Sequence, residues 1–185
     1  TMAIAQQLYE GITLGPDGEV GLITYMRTDS THVTPTALRE AVTYIRTHYG
    51  SEYTPKTPRL YTKKTKGAQE AHEAIRPTSI HREPEAVRHQ LTPDQVRLYE
   101  LIWKRLLASQ MTDSVNDSTR VQIHAQGSNS QGRIYVLSAT GSVLKFPGFR
   151  ALYLEDQDDP QEDEDEPHTL PELGNGDDLN CLGLV

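Results

Sequence analysis

Near Asp117 the sequence changes its period, and that change limits the chain to two kinds of structure in succession. Before it, apolar residues recur at helical spacing. Leu98, Tyr99, Ile102, Trp103, Leu106 and Leu107 form an i, i+3/i+4 stripe. Thr92, Pro93 and Gln95 ahead of that stripe read as an N-cap, an N1 proline and a capping box. A second helix is expected from Pro35 to about His48, N-capped by Thr34, and another from Met2 to Glu10, stopped by Gly11. Gly15-Pro16-Asp17-Gly18 is a turn leading into a strand that ends at Tyr25, and Tyr53 to Arg59 is a proline-rich loop. After Asp117 the pattern alternates at period two. Thr119 to His124, Ile134 to Leu137, Val143 to Phe146, Ala151 to Leu154 and Leu179 to Val185 are separated by Gly and Asn clusters. The expected fold is α+β, with a helical domain over 1–111 and a small antiparallel β domain over 112–185.

Charge follows the same division. The whole chain of 185 residues carries a net charge of −8. Residues 1–111 hold 14 Lys and Arg against 12 Asp and Glu, a net +2, so the acidity belongs to the second part. Nine acids fall within Glu155 to Glu166, a run that repels itself and reads as a loop over 155–167. Lys63, Lys64 and Lys66 form the compact basic cluster, suited to a phosphate backbone or to a solvated loop. The single cysteine, Cys181, excludes a disulfide framework, points to a reducing compartment and reads as a small apolar strand residue. No Cys/His cluster has zinc spacing, no apolar run has membrane length, and no phosphate-binding Gly-x-x-x-x-Gly-Lys-Ser/Thr string is present. The chain opens at Thr1 inside a helical pattern, which leads us to expect an excised piece of a longer protein.

The chemistry concentrates in Gly21-Leu22-Ile23-Thr24-Tyr25-Met26-Arg27-Thr28-Asp29-Ser30. An apolar run delivers a tyrosine, and polar residues follow at once. On a strand, Tyr25 and Arg27 would share one side. A phenol with a pKa of about 10 is a poor nucleophile at neutral pH. A neighbouring cation lowers the cost of the phenolate and also holds an anionic phosphate. Tyrosine, arginine and small hydroxyls together suit attack on a phosphodiester. A second string, Ala68-Gln69-Glu70-Ala71-His72-Glu73-Ala74-Ile75-Arg76-Pro77-Thr78, lies forty-odd residues downstream. Ala68 to Ala74 are good helix formers, and Pro77 disfavours further helix. His72 and Arg76, at i,i+4, would project from one face toward a phosphate.

The two strings resemble the active-site segments of type IA DNA topoisomerases. Met26 is similar to the bacterial topoisomerase I branch; the topoisomerase III branch usually reads Tyr-Pro-Arg. The stripe from Leu98 to Met111 resembles the family's helix at the end of the tyrosine domain, which makes Trp103 a packing residue rather than a base-stacking platform. The resemblance implies a CAP-like tyrosine domain followed by part of the β hinge that forms the arch of a toroidal enzyme. It implies that Tyr25 attacks DNA and becomes linked to a 5′-phosphate, with Arg27 and His72 as the other catalytic groups. Thr28, Asp29 and Arg76 are the implied DNA-binding residues, and Asp29 would orient or charge His72. The implied partners are single-stranded DNA and the remaining domains of the parent, in the cytoplasm, without ATP. Magnesium is implied for the parent, bound by a TOPRIM domain with a Glu…Asp-x-Asp set and a lysine. The only comparable run here, Asp163-Glu164-Asp165-Glu166, lacks an apolar frame, so no metal site is assigned to this chain. The alternatives are a non-catalytic DNA-binding or interaction module, with a helix-turn-helix variant, and a tyrosine recombinase. The recombinase would need an Arg…His-x-x-Arg set before the tyrosine, whereas here the His and Arg follow it.

Overall fold

The computed structural model describes residues 1–61, 72–126, 132–154, 170–171 and 173–180. The fold is α+β, with helices and two small antiparallel sheets. Two compact units are present. One runs from Thr1 to Asp113 and takes up the chain again from Gly148; the other begins at Ser114.

In the first unit, helix α1 (Met2–Glu10) ends at Gly11, which takes a positive φ of 142°. A short hairpin follows, β1 (Ile12–Thr13) against β2 (Glu19–Val20), closed by a 3-10 turn at Gly15–Asp17. Helix α2 (Pro35–His48) begins at the position the proline dictates, yet the Thr34 side chain makes no cap bond. A short α3 (Pro84–Val87) precedes the long α4 (Pro93–Gln110). The α4 capping box forms as its sequence requires: Thr92 accepts from the Gln95 N–H and the Gln95 side chain accepts from the Thr92 N–H.

Helices α1 and α2 both pack on α4. The apolar stripe of α4 explains this. Tyr99 and Leu107 are fully buried, Trp103 and Leu106 nearly so, and Leu8, Leu22, Ile45 and Met111 close the same core. The polar tips in this core are satisfied. Tyr99 donates to the Arg82 carbonyl at 2.7 Å, and Trp103 Nε1 donates to the Ile80 carbonyl at 2.9 Å. Trp103 is therefore a core aromatic, set edge-on to Tyr44 at 5.5 Å. Gln110 is fully buried because it mimics a backbone partner: it accepts from the Arg59 N–H and donates to the Arg59 carbonyl. That pair fastens the end of the proline-rich loop to α4.

In the second unit, β3 (Val115–Ala125) and β4 (Tyr135–Phe146) form one long antiparallel hairpin, with an irregularity between Val115 and Asn116. The alternating segments expected near Ile134 to Leu137 and Val143 to Phe146 are thus two ends of a single strand. Ala151–Leu154 is not a strand. It forms a short helix, α5, whose Leu152 is buried in the core of the first unit. The strand expected over Ala151 to Leu154 is corrected there. The reason is local: Gly148 sits at φ 52°, and a Cβ on it would lie 2.4 Å from the Asp113 carbonyl oxygen. With Phe149 N–H donating to the Thr112 carbonyl at 2.9 Å, the returning chain is held against Thr112–Asp113. Leu179 and Asn180 are not in a strand either. Lys63, Lys64, Lys66, Cys181 and the acidic loop 155–167 lie outside the described residues.

The two faces of α4 set up a direct test. Leu107→Ala should destabilise the chain by about 2–5 kcal/mol, since a buried Leu loses contacts and leaves a cavity. Leu101 is 54% exposed, so Leu101→Ala should stay within about 0.5 kcal/mol of the parent. Urea denaturation followed by circular dichroism measures both; equal losses would mean that the burial of the α4 face is misassigned.

Candidate active site

Tyr25 is carried by an extended segment held from two sides. On one side is the end of α1. The Leu22 and Ile23 N–H groups both donate to the Leu8 carbonyl, at 2.7 and 3.4 Å. Gly21 makes the approach possible, because a Cβ there would lie 2.6 Å from the Tyr9 carbonyl oxygen. On the other side is the second motif. Thr24 N–H donates to the Arg76 carbonyl and Thr78 N–H to the Leu22 carbonyl, each at 2.9 Å, around an antiparallel bridge between Ile23 and Pro77.

This arrangement corrects two expectations. Tyr25 does not end a regular strand, because the pairing is an isolated bridge. Pro77 has no N–H to continue a ladder. His72 to Ala74 are not helical either, while residues 68–71 of the expected helix lie outside the described residues. The backbone groups a helix would use are taken by other segments. Ala74 N–H donates to the His32 carbonyl at 2.7 Å. Thr24 Oγ1 donates to the Ala74 carbonyl at 2.7 Å and accepts from the Arg76 N–H at 3.0 Å. His72 and Arg76 therefore do not share a helix face.

His72 nevertheless comes to Tyr25. The two ring centroids are 6.0 Å apart. Asp29 joins the group: its Oδ2 lies 3.0 Å from His72 Nδ1 and 3.5 Å from Arg27 Nε. One carboxylate oxygen thus serves an imidazole and a guanidinium, and Oδ1 is buried without a partner among the described residues. Tyr25 is 48% exposed, Arg27 is mostly exposed, and His72 and Asp29 are half-buried beneath them. Thr28 is exposed. The result is a phenol at the surface with a histidine and an arginine held by a common acid.

Arg76 is placed differently. Its side chain is 14% exposed and forms a two-point pair with Glu73, Nε to Oε1 at 2.7 Å and NH2 to Oε2 at 3.0 Å. Its third nitrogen donates to the Pro77 carbonyl. Glu73 also accepts the Thr34 N–H at 2.9 Å, the N-cap N–H that the reciprocal acid of a capping box would take. Burial alone would raise the Glu73 carboxyl, but the hydrogen bonds from Arg76 and Thr34 outweigh it and hold the group below its ordinary range.

Sequence reasoning gave no role to Tyr9, Thr24 or Glu73. Thr24 and Glu73 stand inside the two motifs, where a polar residue beside each reactive one was a usable signal. Tyr9 had none: it sits at the end of α1, and its ring lies 5.3 Å from that of Tyr25 at an interplanar angle of 62°. Among the described residues no group of three or more His, Cys, Asp or Glu side chains converges as a cation site. Among the same residues no helix is long and apolar enough to cross a membrane.

The chain is similar to known proteins over nearly its whole length. The sequence model of the DNA topoisomerase family matches residues 1–184. DNA topoisomerase 1 from each of two strains of Xylella fastidiosa is 47% identical over 180 residues, covering 97% of this chain and 21% of the relative. A structure of full-length topoisomerase I from Thermotoga maritima superposes with a TM-score of 0.64 at 39% identity, over 82% of this chain and 22% of that one. The chain thus spans about a fifth of the length of the relatives it matches.

Two substitutions test the frame. Gly21→Ala should push the Tyr25 segment off α1 and cost about 1–3 kcal/mol; an unchanged urea midpoint would count against the close approach. The Glu73 pair should show in acid. A carboxyl depressed in the folded state adds stability above the unfolded value, about 4.3, and loses it as pH falls through the folded value. The stability difference between the parent and Glu73→Gln should therefore shrink between about pH 5 and pH 3. A difference independent of pH would remove the charged pair from the account.

Proposed function

The chain belongs to the type IA DNA topoisomerase family, and from that premise we propose that it carries the nucleophile of an enzyme that relaxes negatively supercoiled DNA. The Tyr25 oxygen attacks the scissile phosphate in line. The new bond joins phenol oxygen to phosphorus, the bond from phosphorus to the 3′-oxygen breaks, and the phenol proton ends on that departing 3′-hydroxyl. The cleaved strand is held as a 5′-phosphotyrosine, another strand passes, and the 3′-hydroxyl reverses the reaction. Bond energy is kept in the phosphotyrosine, so ATP has no place in the cycle.

The observation that carries this reading is the surface phenol of Tyr25 beside His72, with Asp29 Oδ2 touching both His72 and Arg27. In this arrangement Arg27 supplies positive charge to the phosphate and to the developing phenolate. His72, oriented by Asp29 on Nδ1, presents its other ring nitrogen to a DNA phosphate near the cut. Thr28 is exposed and available as a phosphate donor. Arg76, engaged by Glu73 and Pro77, acts as a brace for the His72 segment more than as a backbone contact.

The substrate is single-stranded DNA, located in the cytoplasm with the nucleoid. The β3–β4 unit is part of the hinge that forms the arch. As the family resemblance implies, magnesium would be held by an acidic domain of the complete enzyme, and on this reading the chain alone does not relax DNA. Binding of single strands by the chain should be weak and weaken with salt, since few cations are present to displace counterions.

In the complete enzyme with magnesium, Tyr25→Phe should abolish relaxation of negatively supercoiled plasmid. Arg27→Ala should slow it by about 10²–10³-fold, as loss of one electrostatic donor does. His72→Ala should weaken capture of the cleaved strand, and Asp29→Ala should do so less. Full relaxation by Tyr25→Phe would instead favour the non-catalytic DNA-binding module. Relaxation by the chain alone would show that nothing further is needed.

A further inference from the structure

We propose that Tyr9 is a positioning residue for Tyr25, its ring fixing the direction of the phenol for in-line attack; this rests on Tyr25 being the nucleophile. A tyrosine that is 48% exposed on an extended segment has several staggered rotamers open to it. In-line attack uses few of them, and small errors in placement are costly. Among the described residues the Tyr25 ring has two aromatic neighbours. His72 stands at 6.0 Å, tilted at 44°, and is tethered to Asp29. Tyr9 stands at 5.3 Å and 62°, the edge-to-face geometry that aromatic pairs favour.

The backbone makes the Tyr9 contact specific. Tyr9 belongs to the last turn of α1, where the preceding carbonyl, Leu8, accepts from Leu22 and Ile23. The Tyr9 carbonyl itself is the atom that excludes a side chain at Gly21. The helix end that carries the Tyr9 ring is thus also the anchor of the segment that carries Tyr25. Leu8 beneath it is fully buried, so the anchor does not move with the surface. Tyr9 itself is 41% exposed, and its ring is not part of the packed core, so its removal need not unfold the chain.

The test compares Tyr9→Ala, Tyr9→Phe and Tyr25→Phe. In the complete enzyme, single-turnover formation of the covalent adduct on a single-stranded oligonucleotide should fall roughly two- to tenfold in Tyr9→Ala. Oligonucleotide affinity and thermal midpoint should stay at the parent value. Tyr9→Phe should restore the rate, because the ring and not the hydroxyl makes the contact. In the chain itself, the Tyr25 ring-proton resonances should move in Tyr9→Ala and return in Tyr9→Phe. That readout does not depend on activity. An unchanged adduct rate in Tyr9→Ala would overturn the proposal, as would unmoved Tyr25 resonances. Weakened affinity with an unchanged rate would also overturn it and make Tyr9 a stacking platform for a base. Adduct formation by Tyr25→Phe would instead overturn the nucleophile assignment on which the proposal rests.

Discussion

The short antiparallel pairing of residues 21–24 with 76–78 is the constraint on which the rest of the site depends. It turns two distant stretches of sequence into one object. Thr24 stitches the pairing through its hydroxyl, which reaches the backbone of Ala74 and Arg76. Because Leu22 and Ile23 also hang from the end of α1, the pairing is fixed to the helical core rather than to a loop. Tyr25 and His72 then emerge next to each other at its edge. Local helix propensity at 72–74 loses to this pairing, since tertiary hydrogen bonds consume the groups a helix would need.

Two acids divide the electrostatic work. Asp29 holds His72 and Arg27 with one oxygen. Glu73 faces inward, pairs with Arg76 and closes the start of α2. Neighbours in sequence thus serve different ends: His72 reaches the Tyr25 ring, and Glu73 secures the segment that carries it. The charge-assisted, two-point geometry of Arg76 with Glu73 makes that brace stiffer than a lone exposed ion pair.

The second unit has a different balance. Its main described element is a long two-stranded ribbon, on which Tyr135 and Val136 are more than half exposed. A two-stranded ribbon is marginal by itself in water. A continuous backbone ladder from Val115 to Phe146 ties its two strands together. The first unit rests instead on a core of buried apolar side chains with their polar tips satisfied.

The sequence by itself determined the elements whose cause is local. The α4 stripe and its Thr92–Gln95 box, the proline start of α2 and the glycine stop of α1 all stand where chain-local chemistry puts them. The period-two pattern was legible as antiparallel β structure, although not that two of its segments were one strand. The residues Tyr25, Arg27, Asp29 and His72 were legible as a set from their types and their resemblance to a family. Their geometry was not. Tertiary structure alone decided that His72 lies on an extended segment, that Arg76 turns inward, that Ala151–Leu154 is a helix within the first unit, and that Tyr9 faces Tyr25. The physical reason is the range of the forces involved. Caps, turns and apolar periods act over a few residues and can be read along the chain. Pairing between residues 50 or more apart exists only once the core has brought them together.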